Sequence, residues 1–139
     1  MPFLDRLDFH TESPTSKVVI LDSRLRYQAS DGRVYTIPAG FRTDLASVPW
    51  WLNSLAPPWQ QSARAGVLHD CAYRWEEVWK SGRAAADELL YTGLRDDQTS
   101  WLRAQAMLRA VSWFGGEAWA RWRATPATSK GVLPPPVSA

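Results

Sequence analysis

Four side chains near the middle of the sequence have the types and spacing that activation of a water molecule requires. They are His69, Asp70 and Tyr73 in "GVLHDCAYRW" and Asp87 in "RAAADELLYTGL". A neutral imidazole takes a proton from water on one nitrogen when its other nitrogen is held by an acceptor, and a buried carboxylate is the usual holder. Positions i and i+4 of a helix lie about 40° apart on the helical wheel, so His69 and Tyr73 share a face, while Asp70 points roughly 100° away. One helix thus presents a base and, separately, a carboxylate able to bind a hard cation through oxygen. Asp87 follows the break "SGR", and an antiparallel helix pair would return it to the face of His69 and Tyr73. There it would orient the imidazole and accept a hydrogen bond from Tyr73.

Each of these residues also has a plainer reading. The same hydrogen bonds serve a structural polar network, and an acid early in a helix offsets the helix dipole, which accounts for Asp87 without chemistry. Cys71 faces another side of the helix and reads as a small buried residue, not a thiol nucleophile. Ser47 has no nucleophile-elbow glycines around it, and His10 has no evident partner.

The elements that would position these groups follow from pattern. "VVIL", "RLRY" and "VYTI" between Lys17 and Ile37 are strand-like, and Asp31-Gly32 suits a type I′ turn between the last two. The segment "PAGFRTDLASVPWWLNSLAPPWQ" reads as a structured loop presenting Asp44 and Ser47. Helical pattern runs from Ser62 to about Lys80, resumes at "RAAADELLYTGL", and returns from about Thr99 to Arg123 with a kink or close approach at Gly115-Gly116. The fold class expected is α+β: an N-terminal antiparallel hairpin or small sheet packed on a body of three main helices. A single domain over 1–125 would be followed by a mobile proline-rich tail over 126–139.

Composition narrows the classes. The chain has 139 residues, a formal charge of +2 and a single cysteine, which excludes an internal disulfide framework and a cysteine-rich zinc site. Its arginines are scattered, so there is no strong case for nucleic acid, and no apolar run reaches the roughly 20 residues of a membrane span. The start, "MPFLDRLDFH", lacks the basic and apolar regions of an export signal. Nine tryptophans are unusual in a chain this short. Trp75 and Trp79, at i and i+4, read as core, whereas Trp50-Trp51 and the pair Trp119 and Trp122 are candidates for a lipid or protein boundary.

"HDCAY" followed by "AADELLYTGL" resembles the catalytic core of the secreted phospholipase A-two superfamily, including its bacterial and parvoviral capsid branches. That resemblance spans about 64–94, and the glycine-rich calcium loop and paired cysteines of the superfamily are missing. It implies His69 as the base for the hydrolytic water, Asp87 as its partner, Tyr73 as hydrogen-bonding support and Asp70 as a calcium ligand. We add Asp44 as a further candidate oxygen ligand. A broader resemblance runs from Thr36 to Trp119: "IPAGFRTDLASVPWWL", "AGVLHDCAYRW", "AADELL" and "AVSWFGGEAW" are similar, in this order, to a phage and prophage family known as domain-of-unknown-function family 1353. It implies a phage or prophage origin and brings no activity with it; the place of synthesis then expected is a bacterial host cytoplasm, with incorporation in a virion open.

The functional expectation is a calcium-assisted lipid esterase with a lipid surface as its partner. Its rivals are a non-enzymatic tail or baseplate component that binds other virion proteins, and a metal-dependent hydrolase of a cell-wall bond. Oligomeric state is not legible.

Overall fold

The computed structural model describes residues 2–16, 18–44 and 59–139. Among these, five short strands precede the helices: β1 (Phe9–Thr11), β2 (Val19–Leu21), β3 (Leu25–Gln28), β4 (Val34–Ile37) and β5 (Arg42–Thr43). Strands β3 and β4 form the expected hairpin, with Leu25 opposite Ile37 and Tyr27 opposite Tyr35. All four are buried, because the two-residue period of a strand sends them to one face. The turn differs from expectation. Only Gly32 has a positive φ, the Gly32 amide bonds the Ala29 carbonyl at 3.0 Å and the Ala29 amide bonds Arg33 at 2.9 Å. A type I′ turn needs positive φ at both centres, and Asp31 does not adopt it; the connection is longer, and its left-handed position falls on glycine, where no Cβ is strained. "VVIL" pairs elsewhere: β2 lies between β1 and β5 in a second antiparallel sheet.

Five helices follow: α1 (Trp59–Arg74), α2 (Glu76–Trp79), α3 (Arg83–Asp96), α4 (Trp101–Phe114) and α5 (Gly116–Ala124). The fold is therefore α+β, as expected, although two of the three anticipated helices are each broken. The first breaks at Trp75 because Arg123 from α5 donates to the carbonyls of Tyr73 at 2.5 Å and Arg74 at 3.1 Å, satisfying acceptors that a continuous helix would have used. Lys80, with φ +53°, then ends α2 in the left-handed conformation. Glu76 reaches across the break to accept from the Gly82 amide at 3.0 Å, so the start of α3 is anchored by an acid from α2.

One apolar cluster joins the inner faces of the strands to α1, through Leu25, Ile37, Phe41, Val67 and Leu68 among others. A second lies between α1, α3 and α4, around Ala65, Leu90, Leu94, Met107 and Val111. Helices α1 and α3 run close together: a Cβ added at Gly93 would stand 3.1 Å from that of Ala65. Trp75 and Trp79 are core residues, as their spacing suggests.

Where composition suggests a mobile tail, the chain folds back across the body. Ser138 exchanges both backbone hydrogen bonds with Val34, at 2.9 and 3.1 Å, and the Trp79 indole donates to the Pro135 carbonyl at 3.1 Å. Lys130 is 4% exposed and pairs with Glu77 at 2.9 Å. The run Pro134-Pro135-Pro136 offers carbonyl acceptors and a low-entropy extended path, which a lateral pairing can use. Limited trypsin digestion followed by mass spectrometry is therefore expected to leave the Lys130-Gly131 bond intact well after exposed sites such as Arg33 are cut. Rapid release of the last nine residues would show the tail undocked.

Candidate active site

The pairs that join α1 to α3 step down one helix as they climb the other: Tyr73 with Arg83 and Asp87, His69 with Asp87, Ala65 with Gly93, Arg64 with Asp97. That antiparallel register brings Asp87 back to His69, across the break at 80–82. His69 Nε2 lies 2.8 Å from Asp87 Oδ1, and the Tyr73 hydroxyl donates to the same oxygen at 2.6 Å. All three side chains are buried. A carboxylate oxygen only accepts, so Nε2 is the donating ring nitrogen, and in the neutral imidazole Nδ1 then carries the lone pair. Nδ1 is buried and has no hydrogen-bond partner among the described residues. Asp87 lies beyond the first turn of α3, so capping does not explain its position; the buried contacts to His69 and Tyr73 do.

Tyr73 is fixed from several sides. Its ring lies 4.3 Å from that of His69, and Trp119 packs edge-on against it at 5.2 Å. Burial, and next the bond to Asp87, push its hydroxyl well above the ordinary tyrosine range, so it stays a neutral donor at any working pH. Arg83 spans 3.4 Å to the Tyr73 hydroxyl and donates to the carbonyls of Val111 and Ser112 at the end of α4, at 3.1 and 2.7 Å. Gly115 meets the tyrosine from the other side, since a Cβ there would stand 2.5 Å from its hydroxyl oxygen. The close approach expected at the glycine pair is thus real, and its target is the site. Gly115→Ala is expected to cost about 1–3 kcal/mol by overpacking, read from urea denaturation, and to displace the hydroxyl from Asp87.

Asp70 sits differently from expectation. Its Oδ2 accepts from Arg74, one turn on, at 2.9 Å, and both side chains are buried. The guanidinium in turn stacks between Phe41 and Trp122, with ring centroids at 4.4 and 4.6 Å. Asp44 is exposed at the edge of the described residues. Among the described residues no three His, Cys, Asp or Glu side chains come close enough to hold a metal ion. Among the described residues the donors do not assemble a calcium site: the Asp70 carboxylate is already paired with an arginine held by two aromatic rings.

Other sequence candidates are also placed. Burial, and then Asp70, push the Cys71 thiol well up, which leaves it protonated and unreactive. His10 has a partner after all: Asp22 accepts at 2.5 Å on the exposed side of the small sheet. Trp119 and Trp122 are half-buried and packed on the core, with Arg123 over Trp119 and Arg74 over Trp122, so they are not the boundary residues expected. Ser47 and Trp50-Trp51 lie outside the described residues. Sequence reasoning missed Arg74, Arg83 and Arg123. The i,i+4 spacing of Asp70 and Arg74 was the one local sign of them.

No curated protein and no solved structure matches the chain. The family described as "Protein of unknown function (DUF1353)" matches residues 19–111, a span that contains the hairpin, α1, α3 and all four residues His69, Asp70, Tyr73 and Asp87. With more than half of its length matched, the chain belongs to the DUF1353 family.

Proposed function

We propose that the protein is a hydrolase in which His69 activates water, with a carboxylic ester of a lipid as its substrate. One observation carries this reading: the imidazole is held at Nε2 by Asp87, which is itself held by Tyr73, while Nδ1 has no partner among the described residues. Buried polar atoms are seldom left unpaired, and a base waiting for water is one of the few reasons for it. In the reaction, Nδ1 removes a proton from water as the oxygen bonds to the ester carbonyl carbon. Asp87 stabilises the resulting imidazolium through Nε2–H. The tetrahedral intermediate collapses with cleavage of the carbon–oxygen bond, and the leaving alkoxide takes the proton back from Nδ1. Water and ester become acid and alcohol, and His69 is regenerated. Asp87 and Tyr73 act as positioning residues. Because Arg74 already holds Asp70, no step is assigned to calcium. The lipid substrate is suggested by the resemblance of "HDCAY" and "AADELLYTGL" to the phospholipase core.

A second reading rests on the depth of the site. His69 and Tyr73 are fully buried, and neither of two surface depressions among the described residues, one lined by Tyr35, Trp79 and Val137 and the other by Pro2, Gln28 and Asp96, is lined by them. A sealed His/Asp/Tyr network can serve only to fix α1 against α3, in a binding component such as a phage tail or baseplate protein.

Release of fatty acid from mixed phosphatidylglycerol and phosphatidylcholine vesicles, with calcium and with chelator, separates the two. The hydrolase reading expects release in both conditions. No release from folded protein in either would leave the structural reading, and release only with calcium would refute the assignment of Asp70 to Arg74.

A further inference from the structure

The two most exposed large apolar side chains among the described residues belong to one helix. On α4, Leu102 is 72% exposed, Trp113 73% and Trp101 57%. Helical spacing puts Leu102, Ala106, Arg109 and Trp113 along a single outward stripe, with Trp101 beside it, while Ala104, Met107, Ala110 and Val111 face inward. Leaving three such side chains in water is costly, and a patch of this kind on a soluble body marks a contact surface.

What would cover it is decided by charge. Helix α4 contains no acid; its charged residues are Arg103 and Arg109, both exposed, and neither is in an ion pair among the described residues. Leu102 and Trp113 are placed so that an antiparallel second copy would match them end to end. That pairing, however, would set Arg109 of each copy near the axis with no carboxylate on either helix to offset the repulsion. An anionic surface has no such conflict. The stripe is a convex ridge and not a groove, with indoles at both ends of the helix. A fluid interface conforms to such a ridge, and indoles prefer the depth of lipid headgroups. Glu117, at the start of α5, is the nearest acid along the chain.

We propose that the outer face of α4 docks on a membrane surface bearing anionic headgroups, with Leu102 and Trp113 inserted and Arg109 against the headgroups. No helix among the described residues is long and apolar enough to cross a membrane, so the contact lies in the plane of the interface. The inference complements the hydrolase reading but stands on its own, since it concerns binding and not turnover.

Flotation of the full chain with vesicles tests it. Partition onto phosphatidylglycerol-rich vesicles is expected to exceed that onto pure phosphatidylcholine and to fall with added salt. Leu102→Ser with Trp113→Ser is expected to weaken it about tenfold or more, and Arg109→Gln about fivefold. Ser112→Glu, an exposed change that leaves the apolar residues intact, is expected to weaken it to a similar degree as Arg109→Gln. His69→Gln is expected to bind as the natural chain does, which keeps failure of docking distinct from failure of catalysis. Three results would each overturn the proposal: no partition onto anionic vesicles, partition unchanged by the double substitution, or a dimer of the natural chain that the double substitution returns to monomer.

Discussion

His69→Gln is expected to lower fatty acid release from vesicles by about 10²- to 10⁴-fold while the protein keeps its fold and its affinity for the vesicle surface. Glutamine can still donate to Asp87 from roughly the place of Nε2, so the link between α1 and α3 survives. It has no nitrogen that takes up a proton near neutral pH, and the group left beside the reacting water cannot act as a base. The effect belongs in turnover and not in binding, and single-turnover measurements on saturating vesicles with circular dichroism of the same preparations would read it. A variant that releases fatty acid as fast as the natural chain would remove His69 from the mechanism, even if the natural chain is an active lipase.

The largest effect on stability is expected at Asp87. Its Oδ1 is the shared acceptor for two buried donors, the His69 ring nitrogen and the Tyr73 hydroxyl. Asp87→Ala strands both donors in a buried site, and each stranded donor costs on the order of 1–3 kcal/mol. The loss is expected to be roughly 3–5 kcal/mol, comparable to breaking a buried pair, which is a large share of the stability of a domain this size. Equilibrium urea denaturation would show it as a lower midpoint. Asp87→Asn keeps an acceptor oxygen and is expected to cost markedly less. Tyr73→Phe removes one donor together with its bond, and so is expected to lie near 1 kcal/mol. A cost below 1 kcal/mol for Asp87→Ala would mean that the network holds nothing together.

These expectations apply to both readings of the protein, and activity distinguishes them. A structural network predicts the stability losses at Asp87 with no release of fatty acid by any form of the protein. A hydrolase predicts that His69→Gln separates the two properties, losing turnover at little cost in stability.

Much of the site was legible because it depends on helix geometry and one chain reversal. His69 and Tyr73 share a face in any helix, and the break at "SGR" between two patterned segments implies the antiparallel return that brings Asp87 to them. The hairpin was equally plain from "RLRY" and "VYTI", and Asp31-Gly32 marked where the chain reverses although not which turn it makes. In each case the determining interactions lie within an element or between neighbours along the chain, where bond geometry leaves few choices.

What only the tertiary structure decided depends on residues far apart in sequence. Whether the Asp70 carboxylate faces a cation or Arg74 turns on Phe41 and Trp122 enclosing the guanidinium, from elements on either side of α1. Arg123 ends α1 from 50 residues away, and Gly115 admits the Tyr73 hydroxyl from 42 positions on. The tryptophans make the same point. Trp119 and Trp122 were drawn inward by Tyr73, Arg74 and Arg123, and Trp101 and Trp113 were left outside because α4 turns its alanine and methionine side to α3. Local spacing determines which residues of one element point together; which of its faces is buried is settled by the other elements that pack against it, and those contacts have no local signature.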